Sequence, residues 1–390
     1  MFMISRICHK WLPIVVWMAV WSANSMSVHA ERFFAYVGTY TGGESQGIYR
    51  AIFDSDTGTF SDLELAAEVE NPSFLAVHPN GKYLYAVGEV SEFEDQKTGF
   101  VAAFQLDPKS GELALLNRVA SSGTAPCHLN VDRTGRFVLV ANYGSGTASV
   151  IRLNDDGSLG DRTAFQQHEG SSVNTQRQEG PHAHSINLDA QNRFAFVADL
   201  GLDKVMIYRF DPEKGALQPN DPAFVQIKAG AGPRHFSFHP SQKFAYVINE
   251  LDSSITALKY DADKGSLEPI QSVSTLPSDH TDASYTAEVV VHPSGKFVYG
   301  SNRGHDSIAC FQVDAETGEI SITAIESTRG QTPRNFVIDP TGKYLLAENQ
   351  GTDMVTIFEI DATKGTLQGS NETLDVPSPV CIRFAKIQSE

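Results

Sequence analysis

The chain has 390 residues, of which 41% are hydrophobic and 20% charged, values that are ordinary for a globular protein and far from those of disordered chains. Its formal net charge of −17 argues against nucleic acid and anionic membranes as partners, although a small anion held by local arginines stays possible. The length fits either two average domains or one large closed all-β fold.

Residues 1–30 have the pattern of a secretory signal peptide. Arg6 and Lys10 give a basic start, residues 11–21 are apolar, and Ala30 ends a segment suited to signal peptidase. The apolar run is too short to span a bilayer comfortably, so an uncleaved anchor is the less favoured alternative. We therefore predict an exported protein, periplasmic or extracellular, whose residues 31–390 form a single domain without a membrane span.

Beyond the predicted signal peptide the chain holds three cysteines, which we expect to be small buried side chains. Cys127, Cys310 and Cys381 are too scattered for a disulfide framework and lack the paired spacing of a zinc site. His182 and His184 lie on one side of a predicted strand and could bind a metal ion, but no third ligand follows at a suitable spacing. We predict neither a metal ion nor a cofactor.

Two short markers recur along the chain and indicate its fold. The first is a turn between two alternating apolar runs, and several copies have Pro at the second position and Gly at the fourth, as type I turns prefer. It occurs at residues 78–82, 132–136, 189–193, 239–243, 292–296 and 339–343. The second, Asp-x-x-x-Gly-x-apolar, occurs at residues 54–60, 107–113, 211–217, 261–267, 314–320 and 361–367, with a shortened form at residues 154–159.

The second marker gives seven copies at spacings of 47 to 57 residues. Four antiparallel strands in about 50 residues are the period of a β-propeller blade, and no helical periodicity competes. We therefore predict an all-β fold, a seven-bladed β-propeller with four antiparallel strands per blade. Residues 33–38 resemble a second strand and residues 378–384 a first strand, so the two ends should pair and close the ring.

Three polar stretches exceed the repeat, at residues 91–99, 166–181 and 272–287. The last two precede an innermost strand and should overhang one mouth of the central channel. Solvated surface loops are the simple interpretation, and a substrate lid is an alternative for residues 166–181.

The hairpin at residues 232–251 brings charged side chains to that mouth. The start of its first strand and the end of its second lie at one edge of the sheet, so Arg234, His235 and Glu250 come together. Equivalent positions of the other blades are occupied by Ser73, Glu89, Cys127, His184, Glu288, Asn302, Arg303, Arg334, Asn335 and Asn349, among others. Arginines that share one funnel repel each other unless an anion binds there, and a glutamate among them suits proton transfer.

Six segments of the chain resemble the lactonase family of seven-bladed propellers, which includes the propeller-type 6-phosphogluconolactonases and the fungal carboxy-cis,cis-muconate lactonizing enzyme. They are residues 36–40, 181–184, 232–235, 249–251, 301–303 and 332–336. The resemblance runs from about Phe33 to Phe384 and implies an active site of one His, two Arg and one Glu. These map onto His182 or His184, Arg234, Glu250 and Arg303.

We therefore expect a metal-independent lactonase that acts on a small anionic or sugar lactone. The residues predicted to be catalytic are Glu250, His182, His184, Arg234 and Arg303, and those predicted to bind substrate are His235, Arg334, Asn249, Asn302, Asn335 and Asn349. Glu250 or one of the two histidines would transfer the proton, while the arginines would hold an anionic group and offset charge on the oxyanion.

Two alternative functions remain at this point. One is the reverse type of chemistry, in which a cycloisomerase closes a muconate to its lactone. The other is a non-catalytic propeller that binds a protein or a carbohydrate. Because the phosphorylated lactone of sugar metabolism is cytoplasmic, an exported lactonase would act on an unphosphorylated sugar lactone or another lactone. We predict a monomer.

Overall fold

The computed structural model describes residue 2 and residues 31–388, which form seven four-stranded antiparallel sheets. The all-β, seven-bladed propeller predicted from the repeats is confirmed. The signal peptide predicted at residues 1–30 lies, except for residue 2, outside the described residues. Among the residues that are described, no helix is long and apolar enough to cross a membrane.

The blades are numbered from the first one that is continuous in sequence. Blade 1 contains β4 (Leu75–Val77), β5 (Tyr83–Gly88), β6 (Phe100–Leu106) and β7 (Leu113–Ala120). Blade 2 contains β8 (Pro126–Val131), β9 (Phe137–Asn142), β10 (Thr147–Leu153) and β11 (Leu159–Gln167). Blade 3 contains β12 (Ala183–Leu188), β13 (Phe194–Asp199), β14 (Lys204–Asp211) and β15 (Ala216–Gln226). Blade 4 contains β16 (Pro233–Phe238), β17 (Phe244–Asn249), β18 (Ser254–Asp261) and β19 (Ser266–Ser274).

The remaining blades complete the ring. Blade 5 contains β20 (Tyr285–Val291), β21 (Phe297–Arg303), β22 (Ser307–Val313) and β23 (Ile320–Ser327). Blade 6 contains β24 (Pro333–Ile338), β25 (Tyr344–Asn349), β26 (Met354–Ile360) and β27 (Leu367–Asp375), with a 3₁₀ turn at Gln350–Thr352. Blade 7 joins both ends of the chain and contains β28 (Pro379–Lys386), β1 (Arg32–Thr39), β2 (Gly47–Asp54) and β3 (Thr59–Glu68).

Each recurring marker is a hairpin turn of a blade. In blade 4, residues 239–243 join the innermost strand β16 to β17, and residues 261–267 join β18 to the outermost strand β19. In blade 7, β28 pairs antiparallel with β1 from Phe33 opposite Lys386 to Gly38 opposite Cys381. The predicted closure by the two ends of the chain is therefore confirmed.

The hydrophobic core lies between the blades. Every residue of β9, β13 and β17 is buried, because the second strand of a blade is covered on both faces by neighbouring blades. The outermost strand β3 is mostly exposed. Burial on both faces is why the second strands read as nearly continuous apolar runs, whereas the outermost strands carry polar residues.

Buried tyrosines tie neighbouring blades together through the second marker. The hydroxyl of Tyr299 in blade 5 donates to the carbonyl oxygen of Gly365 in blade 6 at 3.0 Å, and Tyr246 in blade 4 donates to Gly318 in blade 5 at 3.0 Å. Gly365 has a φ of 69°, and a Cβ there would come within 2.3 Å of the Phe297 ring. The marker glycine is thus needed both for the turn and for close blade packing.

Candidate active site

A β-bulge near the start of the innermost strand directs one side chain per blade into the mouth. In blade 4, Pro233 pairs with Asn249 and His235 pairs with Ile248, so Arg234 is left without a partner in the ladder. Blades 2, 3 and 6 have the same shift, which leaves out Cys127, His184 and Arg334. A bulge re-aims a side chain that would otherwise lie on the face of the sheet. These bulged residues line a shared cavity at the mouth.

The Glu250 carboxylate is held by three arginines. Oε1 accepts a hydrogen bond from Arg177 Nη2 at 2.7 Å, and Oε2 accepts from Arg234 Nε at 3.1 Å and lies 2.9 Å from Arg303 Nη2. Burial alone would raise the pKa of the Glu250 carboxyl, but the charges of Arg303 and Arg234 outweigh it and place the pKa at about 2. Glu250 is therefore an ionised anchor with both oxygens engaged.

Arg177 is a site residue that sequence reasoning missed. It lies in the loop between β11 and β12, within the stretch interpreted as a candidate lid, and its Nη2 also lies 3.4 Å from the Tyr143 hydroxyl. The loop is anchored to blade 3, because the side-chain amide of buried Gln178 donates to the carbonyl oxygen of Leu200 at 2.9 Å. An arginine in an insertion just before the two predicted histidines was the available signal.

Both predicted histidines reach the mouth, but at different depths. His184 is buried, with Nε2 4.0 Å from Glu250 Oε2 and Nδ1 3.6 Å from Cys127 Sγ. Burial, and then the charge of Arg234, lower the pKa of His184 well below its usual value, so the ring is neutral at pH 7. His182 lies nearer the rim, stacked on Tyr143 at 4.5 Å. Its Nδ1 donates to the Tyr143 carbonyl oxygen at 3.0 Å, and its Nε2 lies 3.6 Å from Glu179 Oε1.

A second carboxylate, Glu89, faces the mouth from blade 1. Its Oε2 accepts hydrogen bonds from the Tyr40 hydroxyl at 2.8 Å and from the Ser73 hydroxyl. Arg334 Nη2 donates to the same Tyr40 oxygen at 3.0 Å. Glu89 follows β5 as Glu250 follows β17, so the two glutamates occupy equivalent positions of blades 1 and 4. The repeat alignment places Glu89 at the position equivalent to Glu250, but the residues predicted from sequence to form the site do not include it.

Two residues predicted to bind substrate lie in a deeper layer of the channel. His235 Nδ1 is 2.9 Å from Glu288 Oε2, and Asn335 Nδ2 donates to the same oxygen. Both residues line the mouth cavity from below, and both are buried. Their role in substrate binding stays a prediction.

The other three asparagines have their side-chain amides inside the blades. Asn249 Nδ2 donates to Ser254 Oγ at 2.9 Å, and Asn302 and Asn349 make similar bonds to hydroxyl or carbonyl oxygens. None of the three lines the mouth cavity. In blade 4 the reason is that Asn249 is still paired in the strand ladder, whereas the next residue, Glu250, lies beyond the last pair. The side-chain amides of the three asparagines therefore contact the blades in this structure, and their role in substrate binding stays a prediction.

The three cysteines behave as expected, since Cys127, Cys310 and Cys381 are buried and unpaired. Within residues 31–388, no group of three or more His, Cys, Asp or Glu side chains is arranged to hold a metal ion. The chemistry available at the mouth is that of carboxylates, guanidinium groups, imidazoles and hydroxyls.

Comparison with known proteins agrees with this geometry. A family model described as "Lactonase, 7-bladed beta-propeller" matches residues 34–384. The chain belongs to this lactonase family. Among relatives of this lactonase, a protein of Bacillus subtilis named 6-phosphogluconolactonase is 40% identical over 353 residues, which cover 90% of this chain and 98% of the relative. A Formosa agariphila protein of the same name is 34% identical over 77% of this chain and 85% of the relative.

A solved structure gives the same picture for the lactonase fold. The periplasmic gluconolactonase of Pseudomonas aeruginosa superposes with a TM-score of 0.86 and 30% sequence identity. The match covers 92% of this lactonase and all of the Pseudomonas chain.

Proposed function

We propose that this member of the lactonase family hydrolyses a sugar lactone at the propeller mouth. The observation that carries the proposal is the convergence of four arginines, two glutamates and two histidines from separate blades and one loop on one mouth of the channel. They are Arg177, Arg234, Arg303, Arg334, Glu89, Glu250, His182 and His184. The names of the relatives, 6-phosphogluconolactonase and gluconolactonase, support the same reaction class.

Hydrolysis develops negative charge on the lactone carbonyl oxygen, and the arginines supply the opposing charge. Glu250 neutralises only part of the charge of the three guanidinium groups that contact it. Arg234 and Arg334 also line the cavity, where either can donate to an oxyanion or to the carboxylate of the product. In this proposal Arg303 acts with them through Glu250, which it contacts at 2.9 Å.

The imidazoles supply hydrogen bonds, and His184, whose pKa is lowered by burial, does so without adding positive charge. His184 lies in the cavity, and His182 offers Nε2 at the rim, so both are positioned to contact substrate hydroxyls or the ring oxygen. Water adds to the carbonyl carbon, the bond from that carbon to the ring oxygen breaks, and the ring oxygen takes a proton. The product is a hydroxy acid, which releases one proton at neutral pH.

We further propose that the substrate is an unphosphorylated sugar lactone met outside the cytoplasm. The support is the signal-peptide pattern at residues 1–30, including the basic start at Arg6 and Lys10. The Pseudomonas relative, whose structure is similar throughout, is itself named as periplasmic.

The test is a pH-stat screen of purified protein against glucono-δ-lactone, its 6-phosphate, other sugar lactones and a muconate, with and without EDTA. We expect acid release above the spontaneous rate with a sugar lactone, unaffected by the chelator. Arg234→Ala should fold yet lose turnover, and Glu250→Gln should fold with a much lower kcat/KM, while the exposed Arg133→Ala should behave like the parent. Turnover of the muconate alone, or full activity of both site variants, would contradict the proposal.

A further inference from the structure

The two glutamates at the mouth are held in opposite ways. Both oxygens of Glu250 are occupied by arginine nitrogens, as described above. Glu89 has no Lys, Arg or His nitrogen within 4.0 Å among the described residues. Its Oε2 accepts from the Tyr40 and Ser73 hydroxyls, whereas no residue of the described part donates to its Oε1. Glu89 therefore presents a free carboxylate oxygen.

Glu89 lines a cavity of the size that an attacking water requires. The cavity between the mouth side chains has a volume of about 10 Å³, close to the room that one buried water needs. The titratable and charged groups that surround Glu89 there are Tyr40, Cys127, His184, Arg234, His235 and Arg334. The cations Arg234 and Arg334 line the same cavity, so they lie on the side of the mouth where Glu89 lies.

Activation of water requires a group with a free lone pair and a pKa not far below the working pH. Glu250 meets neither condition, because its oxygens are engaged and its pKa is about 2. His184 has a pKa lowered first by burial and then by Arg234, which weakens it as a base. Burial raises the pKa of the Tyr40 hydroxyl, so Tyr40 stays a hydrogen-bond donor.

We propose that Glu89 is the general base of the lactone hydrolysis and that Glu250 is the anion that fixes Arg177, Arg234 and Arg303. The inference rests on the proposed function. Oε1 of Glu89 takes a proton from water while the water oxygen bonds to the lactone carbonyl carbon. The resulting oxyanion lies beside Arg234 or Arg334. As the bond to the ring oxygen breaks, the Glu89 carboxyl returns the proton to that oxygen, and the carboxylate is restored.

Ser73 and Tyr40 are positioning residues in this scheme. Each donates a hydrogen bond to Oε2, which fixes the orientation of the carboxylate and leaves Oε1 without a donor among the described residues. Tyr40 is held in turn by Arg334, so blades 1, 6 and 7 together fix the base.

The first test is the pH profile of kcat/KM for the parent, Glu89→Gln and Glu250→Gln. With Glu89→Gln we expect kcat to fall at least about 100-fold with little change in KM, and the acid limb of the profile to disappear. With Glu250→Gln we expect a rise in KM and an acid limb that persists. Glu92→Gln, an exposed glutamate four residues from the end of β5, is the matched control and should behave like the parent.

Two further variants keep the proposal testable if Glu89→Gln folds poorly. Glu89→Ala should recover part of its activity when formate is added, because formate can replace the lost carboxylate. Ser73→Ala should remain active but have a lower kcat with little change in KM, because it removes a donor that orients the Glu89 carboxylate.

The outcomes separate this inference from the proposed function. A parent protein that turns over no lactone overturns both. An active parent with a folded Glu89→Gln variant that keeps its kcat and its acid limb overturns the role of Glu89 alone. A purely structural role of Glu89 would lower stability but leave the acid limb in place and show no rescue by formate, and this result would also overturn the inference.

Discussion

Arg177 and Glu250 form an ion pair of 2.7 Å across 73 positions of sequence, and this pair joins a surface loop to the end of a buried strand. Glu250 is almost fully buried, whereas the Arg177 side chain is 37% exposed. The loop thus adds, from the solvent side, the third arginine that contacts Glu250.

Arg177→Met should weaken substrate binding more than it weakens the fold. A hydrogen bond to a charged group contributes about 1.5 to 3 kcal/mol when buried, and partial exposure lowers that value. We therefore expect a rise in KM of about tenfold and a shift in melting temperature of no more than a few degrees. Steady-state kinetics and thermal melts would measure both. The control is Arg133→Met on an exposed turn, and an unchanged KM for Arg177→Met would show that the loop does not take part in binding.

Glu250 should make the stability of the protein fall in acid. Its pKa in the folded state, about 2, lies below the value of 4.5 that is usual for a glutamate, so its stabilising effect is complete above pH 4.5 and is lost as the pH falls towards 2. The shift corresponds to about 3 kcal/mol as an order of magnitude. Urea unfolding of the parent and of Glu250→Gln should therefore differ most near pH 6 and converge near pH 2. A difference that is independent of pH would contradict the assigned ionisation.

Removal of residues 381–390 should destabilise the entire ring. The deletion takes away most of β28, which supplies the innermost strand of blade 7 and pairs with β1 along its length. Without it, β1 has an unpaired edge towards the channel, and the buried side chains of Cys381 and Ile382 are lost from the core. A thermal melt of this variant, beside a control that lacks only residues 389–390, measures the effect. Equal melting temperatures would mean that the closure adds no stability.

The fold was predictable because the signals for it are local and repeated. Each blade carries turn residues at fixed places. The glycine at residue 365, for example, is required both by its own turn and by the packing of the adjacent blade. The closure followed from two incomplete ends that complement each other. Because the same turn signals recur in every blade, a misread position in one copy does not change the predicted fold.

The site was predictable only where the repeat itself positions the residue. Alignment of the blades predicts that Arg234, Glu250, His184 and Arg303 lie at one edge, and the structure brings these four side chains together there. Arg177 was missed since a loop outside the repeat has no register. Asn249 was assigned to the site because sequence does not show whether the last residue of a ladder turns towards the mouth or into the blade.

The bulge at the start of the innermost strands has a consequence for how such a propeller changes over time. The residue that it sets apart, such as Arg234 or Cys127, makes no ladder pair that depends on its side chain. One blade can therefore exchange a cation for a thiol or an imidazole while its strands keep their pairing. The ring offers a series of independent positions at one opening, so new substrates can be acquired by single substitutions within an unchanged frame.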